Sequence, residues 1–217
     1  MNGIQSKERV QQFGEVFTPD SIVNDMIDLV EGELKKDITD EQYLEKTWLE
    51  PACGDGQFLI RILYRKLEVI SKLPEEKRQL ALVKALTTIY GVDIQEDNVL
   101  KSRDRMMNII KGLPVSTFDI KEPKVFDIQI DCGVTITPEL ETVLSFILKE
   151  NIITGNTLTP ENLTIKEFRF DGEDVEILHF TLSNLQFEVN REPSVHYMNL
   201  GKISETAQEN EDDDYDF

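Results

Sequence analysis

Leu49-Glu50-Pro51-Ala52-Cys53-Gly54-Asp55-Gly56-Gln57-Phe58 is the stretch that decides the fold. Residues 47–50 (TWLE) read as a short apolar strand that runs directly into it. Phe58, Leu59, Ile62, Leu63, Leu67 and Ile70 then recur at helical spacing. Two glycines spaced by one residue, between a strand and a helix, let the backbone turn tightly and approach a ligand closely.

Thr88 to Val92 (TIYGV) forms a β-rich run ending at Asp93, and Val99, Arg103, Met106, Met107 and Ile110 predict a helix that stops at Gly112-Leu113-Pro114. Strand, glycine turn, helix, strand, acid, helix is the order of an α/β fold with a parallel sheet. Before the strand, Thr18-Pro19-Asp20 supplies an N-cap, a proline for the first helical position and a first-turn acid. Ile22, Val23, Met26, Ile27, Val30 and Leu34 carry that helix to about Lys36. After residue 113 the expected elements are a strand over Val125–Ile130, a helix over Pro138–Lys149 and a strand over Asn151–Thr154. A β-hairpin follows, from Phe168–Phe170 and Val175–Leu182 around Asp171-Gly172-Glu173-Asp174, and the last element ends near Leu185–Val189.

The chain has 217 residues, with 42 Asp+Glu against 23 Lys+Arg and 2 Cys. That length predicts a single domain with a full core, burying roughly 70% of its unfolded surface. The N-terminus lacks a signal peptide's apolar stretch, and no apolar run approaches the roughly 20 residues of a membrane span. A soluble, cytoplasmic protein without membrane contact is expected. Two cysteines make neither a disulfide framework nor a Cys-rich zinc site. His179 and His196 have no partnered Cys or Glu-x-x-His, so no metal is expected.

Residues 1–112 carry a net charge of −4 and residues 113–217 a net of −15. Glu205–Phe217 holds seven acids and no base, which predicts a solvated, disordered acidic tail. The C-terminal half therefore lacks the basic surface from which nucleic-acid affinity mostly comes.

An acid at the end of the second strand commonly accepts hydrogen bonds from the ribose of a nucleoside cofactor. A dinucleotide site would want a third glycine, and Leu59 stands in its place. Glu50 and Asp55 would also repel phosphates. An acidic turn suits a cofactor with a cationic centre and no pyrophosphate, which points to S-adenosyl-L-methionine. The alternative is a plain strand-turn-helix connection with no ligand.

Gly14-Glu15-Val16-Phe17-Thr18-Pro19, Glu50-Pro51-Ala52-Cys53-Gly54-Asp55-Gly56 and Tyr90-Gly91-Val92-Asp93-Ile94 together resemble the N6-adenine DNA methyltransferases. The similarity is to the modification-subunit type of restriction systems and its phage-borne or standalone relatives, over roughly residues 9–110. The resemblance implies a Rossmann-like S-adenosylmethionine-dependent methyltransferase fold, a mostly parallel sheet with flanking helices and here a reduced C-terminal part. One cofactor-binding domain would span 1–204, with core motifs in 9–112 and a divergent part in 113–204, before the tail at 205–217. The resemblance also implies that Phe17, Thr18 and Pro19 contact the methionine part of the cofactor. Glu50, Ala52, Cys53, Gly54 and Gly56 would wrap methionine and sugar, Asp93 would hold the ribose, and Ile94 would pack on adenine. Asn151–Leu158 resembles the family's third cofactor segment, with Asn156 where an acid would accept from the adenine amino group.

The family's catalytic Asp/Asn-Pro-Pro-Tyr/Phe block is missing: the chain contains no Pro-Pro. After the candidate fourth strand, Glu176–Leu182, Asn184 could mimic the polar acceptor and Phe187 the aromatic that stacks on a flipped base. The prolines that would fix their geometry are absent, and misplacing reacting groups by about an ångström can cost on the order of 100-fold in rate. A target-recognition region is missing too. These features imply a methyltransferase-like protein that binds DNA weakly if at all alone. A partner, such as a restriction-modification subunit, would supply catalysis and DNA recognition. Two alternatives stay open. One is an inactive regulatory or anti-restriction protein acting on a host modification enzyme through its acidic half. The other is a methyltransferase for small molecules or proteins, since fold does not fix substrate.

Overall fold

The computed structural model describes residues 18–118 and 125–202; Phe17 and the acidic tail lie outside the described residues. The chain runs through α1 (Asp20–Leu34), α2 (Asp40–Leu44), β1 (Trp48–Glu50), α3 (Gln57–Ile70), α4 (Glu75–Leu86), β2 (Ile89–Asp93) and α5 (Glu96–Ile110). It continues through β3 (Val115–Phe118), β4 (Val125–Ile128), α6 (Pro138–Asn151), β5 (Ile152–Thr154), β6 (Thr164–Asp171), β7 (Asp174–Thr181) and β8 (Asn184–His196), and closes with a 3-10 segment, Tyr197–Lys202.

β1, β2 and β5 form a parallel sheet in that order, with Glu50 opposite Gly91 and Asp93 opposite Thr154. Three parallel strands with flanking helices make an α/β architecture compatible with a Rossmann-like fold. The helix after the glycine turn, α3, is its centre. Leu59, Ile60, Leu63, Leu67 and Ile70 are buried there in one core with Leu82 and Val83 of α4 and Met106 and Ile109 of α5. Each fully buried aliphatic side chain contributes roughly 1.5–3 kcal/mol, so this cluster is the main source of stability.

Four expectations need correction. The sheet system is not mostly parallel: β3–β4 is an antiparallel ribbon and β6–β7–β8 a separate antiparallel sheet. The expected fourth strand, Glu176–Leu182, is the middle strand β7 of that second sheet. Its Ile177 and Leu178 are both buried because β7 has neighbours on both edges and is covered on both faces. The expected hairpin is there, with Gly172 at φ 62° in its turn. β8, however, runs well past Val189, to His196. Finally, Pro19 sits at the N-cap of α1, not inside its first turn, and no side chain caps that end.

Asp20 does something other than favour the helix dipole. It is 3% exposed and receives a two-pronged ion pair from Arg61 of α3, at 2.5 and 2.6 Å. Glu31, about three turns further along α1, accepts from Lys35, Arg65 and Tyr43, which together hold its carboxyl below the usual range despite burial. These polar contacts clamp α1 onto α3.

Candidate functional site

The three parallel strands deliver their C-terminal ends to one place, and the loops that follow touch one another. The glycine turn bends through left-handed backbone at Gly54 (φ 52°) and Gly56 (φ 87°). A side chain on Gly56 would also strike Ser102, whose Cβ and Oγ lie 3.0 and 2.9 Å from the position a Cβ would take. Gly91 is required for a second reason. A Cβ there would meet Leu59 at 2.7 Å and the Cys53 sulfur at 3.2 Å, so only glycine lets β2 pass so close to the turn. Cys53 is buried against it, and burial pushes its thiol up to about 12, which makes it a packing group and not a nucleophile.

Asp93 is the hub. Its Oδ2 accepts from the Gly54 N–H at 2.9 Å, and its Oδ1 accepts from the Gln95 N–H at 2.9 Å and from Asn98 at 3.3 Å. Its carbonyl accepts from the Gly155 N–H at 2.9 Å, while the Cys53 N–H bonds the Val92 carbonyl. One carboxylate thus ties the first loop to the end of β2, and one backbone carbonyl ties the third loop to both. A carboxylate oxygen can accept twice, so Oδ2 keeps capacity for a further donor.

Glu50 ends β1 beside this hub. It accepts from the Ala52 N–H at 3.3 Å and has no ion-pair partner among the described residues. Burial pushes its carboxyl above the usual range, and the Ala52 N–H offsets part of that. A half-buried carboxylate with so little compensation favours a cationic neighbour. Ile94 stands 56% exposed next to Asp93, an apolar side chain at the mouth of the site. Asn156 is exposed, its Oδ1 accepting from the Leu158 N–H. The Thr157 hydroxyl donates to the Pro51 carbonyl at 3.1 Å, so the third loop reaches across the end of β2 to the first. A ligand lying between these two loops would have to open that bond.

Asp55 plays a different part from the one its sequence position suggests. It does not add negative charge to the mouth, because Lys101 and Arg105 of α5 both pair with it at 2.8 Å. Arg105 also bonds the Asp55 carbonyl and Gln57 Oε1, and Gln57 reaches Asp20 at 3.4 Å. Through this chain of contacts Thr18 and Pro19, which precede Asp20, are held near the first residue of α3.

The structure therefore brings together Glu50, Ala52, Cys53, Gly54, Gly56, Asp93, Ile94 and Asn156, with Thr18 and Pro19 alongside. It does not bring Asn184 and Phe187 into that sheet. Asn184 opens β8 and spends its Oδ1 on the Gln186 N–H, and Phe187 is 68% exposed on the same strand. Asn98, Ser102 and Arg105 are the residues that sequence reading missed. All three lie on α5, and Ser102 Oγ donates to the Gly54 carbonyl at 2.9 Å. Their spacing along one helical face was visible, but which loop that face meets was not.

No group of His, Cys, Asp and Glu among the described residues could hold a metal ion, and no described helix is long and apolar enough to cross a membrane. Comparison of the chain with protein-family models, with curated proteins and with solved structures finds no match.

Proposed function

We propose that this chain is a methyltransferase-like protein that binds S-adenosyl-L-methionine, related to the N6-adenine DNA methyltransferases and dependent on a partner for DNA recognition and catalysis. The observation that carries the reading is the convergence of Glu50, the Gly54 turn, Asp93 and Asn156 at the ends of three adjacent parallel strands. The donor set fits the cofactor. Glu50, half-buried and without a cationic partner among the described residues, suits an ammonium or sulfonium group. Asp93, already fixed by three donors, offers Oδ2 to a ribose hydroxyl. Ile94 offers an apolar surface to a base, and Asn156 an amide oxygen to its amino group. The cofactor, when bound, supplies the transferable methyl group; the residues of this chain bind and orient it.

Calorimetric titration of the full chain with S-adenosyl-L-methionine tests this. Binding is expected, weakened at least tenfold by Asp93→Ala, and an absence of heat at millimolar cofactor would overturn the reading. Circular dichroism of the variant separates loss of the ligand contact from collapse of the turn, since Asp93 also holds Gly54.

One set of observations favours the inactive, regulatory reading: the chain has no Pro-Pro, and its only polar-aromatic substitute lies exposed on an antiparallel strand. Labelled methyl transfer to adenine-containing DNA distinguishes the two. The isolated chain is expected to transfer no label, and transfer that survives Asn184→Ala would remove that residue from consideration.

A further inference from the structure

An open groove of about 700 Å³ is lined by α2 and α4 together, with the β6–β7 turn and the 3-10 segment contributing Glu173 and Tyr197. Glu45 and Lys84, which line it, stand a few residues ahead of β1 and β2. The groove therefore lies where the parallel strands begin, at the opposite end from the glycine turn and Asp93. Its floor is apolar. Leu44 and Tyr197 are buried there, and Leu73, Leu80 and Ala81 pack on the core with part of their surface still open.

The walls carry charge that the fold leaves unspent. Glu41, Glu45, Glu75 and Glu76 all line the groove and are exposed, and none pairs with a base among the described residues. Glu41, Glu75 and Glu76 suit the starts of their own helices, but Glu45 sits at the C-terminal end of α2, the wrong end for an acid. Lys77 and Lys84 line it too, and Lys84 holds its ammonium 5.2 Å from the centroid of the Phe170 ring. The four glutamates outweigh them. None of the described lining residues belongs to a strand, so an entering peptide finds no sheet edge to pair with and must satisfy its own backbone groups. A helix does that.

We propose that this groove docks a basic amphipathic helix of another protein, with apolar side chains on the floor and Lys or Arg against the free glutamates. This gives the partner of the proposed function a place and a chemistry, and rests on that reading for its purpose alone. The acidic stretch Glu205–Phe217 has the wrong charge to fill the groove, and a second copy of net charge −19 is repelled.

Fluorescence anisotropy tests this with the full chain and a labelled synthetic helix of about 15 residues, Leu at i, i+3, i+4 and i+7 and Lys on both flanks, in about 150 mM salt. A Kd of about 1–100 µM is expected. The same residues scrambled keep the charge and lose the stripe, and should bind at least tenfold more weakly. A version with Glu in place of Lys should not bind. Leu80→Glu should cost at least tenfold and Glu41→Lys/Glu45→Lys at least fivefold; the second changes only exposed side chains, so it decides the matter if the first fails to fold. Equal affinity for the scrambled helix, indifference to the charge variant, or no binding would overturn the proposal. In the cells that make the protein, p-benzoylphenylalanine at position 80 should trap a basic amphipathic segment whose synthetic peptide shows the same variant profile. Adducts only with residues 1–17, with a second copy or with an acidic segment would overturn it. Cofactor titration of the same samples keeps the two readings apart, since heat without helix binding sinks this proposal alone and helix binding without heat sinks the cofactor site alone.

Discussion

Asp20→Ala is expected to unfold at a urea concentration about 1–2 M lower than the native chain, a loss of about 3–5 kcal/mol. Its carboxylate is nearly inaccessible and takes both prongs of the Arg61 guanidinium, with Asn24 and Gln57 donating as well. Removing it takes a two-pronged carboxylate away from a guanidinium that is 11% exposed. Breaking such a pair from one side costs far more than replacing both members. The double variant Asp20→Leu/Arg61→Met should therefore recover at least half of the loss. Equal or additive losses would show that the ion pair is not what holds α1 to α3. The effect reaches the candidate site, because Thr18 and Pro19 have no other anchor of comparable strength among the described contacts. Cofactor affinity should fall in the single variant and return in part in the double one.

Lys66 gives the second large effect, and its signature is pH. Its side chain is fully buried in α3 and donates to the carbonyls of Leu44 and Lys46, each at 2.8 Å, and to the Thr88 hydroxyl. It thereby joins the end of α2, the approach to β1 and the approach to β2. Burial pushes its ammonium down to about 7, against an ordinary value of 10.5, while Glu31 opposes the shift. Between those values the unfolded chain binds more protons than the native one, so stability rises with pH, by up to about 1.4 kcal/mol per pH unit. Below about pH 7 both states are protonated and this contribution flattens. Above about pH 8.5 the unfolded cysteines ionise while the buried Cys53 does not, which pulls stability the other way. Urea unfolding at pH 6.5, 7.5 and 8.5 should show the native chain gaining stability across the series and Lys66→Met showing no such gain. The variant should also lose about 1–3 kcal/mol at pH 7.5, because the Lys46 carbonyl loses the Lys66 donor and the Leu44 carbonyl keeps only a 3.3 Å bond from the Thr88 hydroxyl. Parallel pH profiles for the two proteins would refute the assignment.

Much of the site could be read from residue types because its parts are local. A strand, two glycines and a helix in immediate succession admit few arrangements, and Asp93 needed only to end the next strand. Asn156 entered through the resemblance of Asn151–Leu158 to a third cofactor segment, and the pairing of Ile152–Thr154 with β2 sets it beside them. What stayed hidden depended on contacts between segments far apart in sequence. Asp55 reads as a free acid until Lys101 and Arg105 arrive from another helix. Val175–Leu182 reads as a buried strand, but apolar content does not say which sheet buries it. Lys66 reads as one more surface charge on an amphipathic helix that also carries Arg61, Arg65 and Glu68. Ile22, Met26 and Val30 read as continuous with Val23 and Ile27, since all obey the same helical period, and only packing leaves the first three exposed.

The seam between Asp93 and Gly155 has a bearing on biosynthesis. Everything from α5 through α6 must be made before Ile152 can align with β2. The pairing is therefore a late, long-range event, of the kind that slows acquisition of native structure. A nascent chain that has reached α5 owns the glycine turn and its carboxylate but not the segment that closes over them. On the proposed cofactor reading, capture of the ligand during translation would wait until residue 156 has cleared the ribosome.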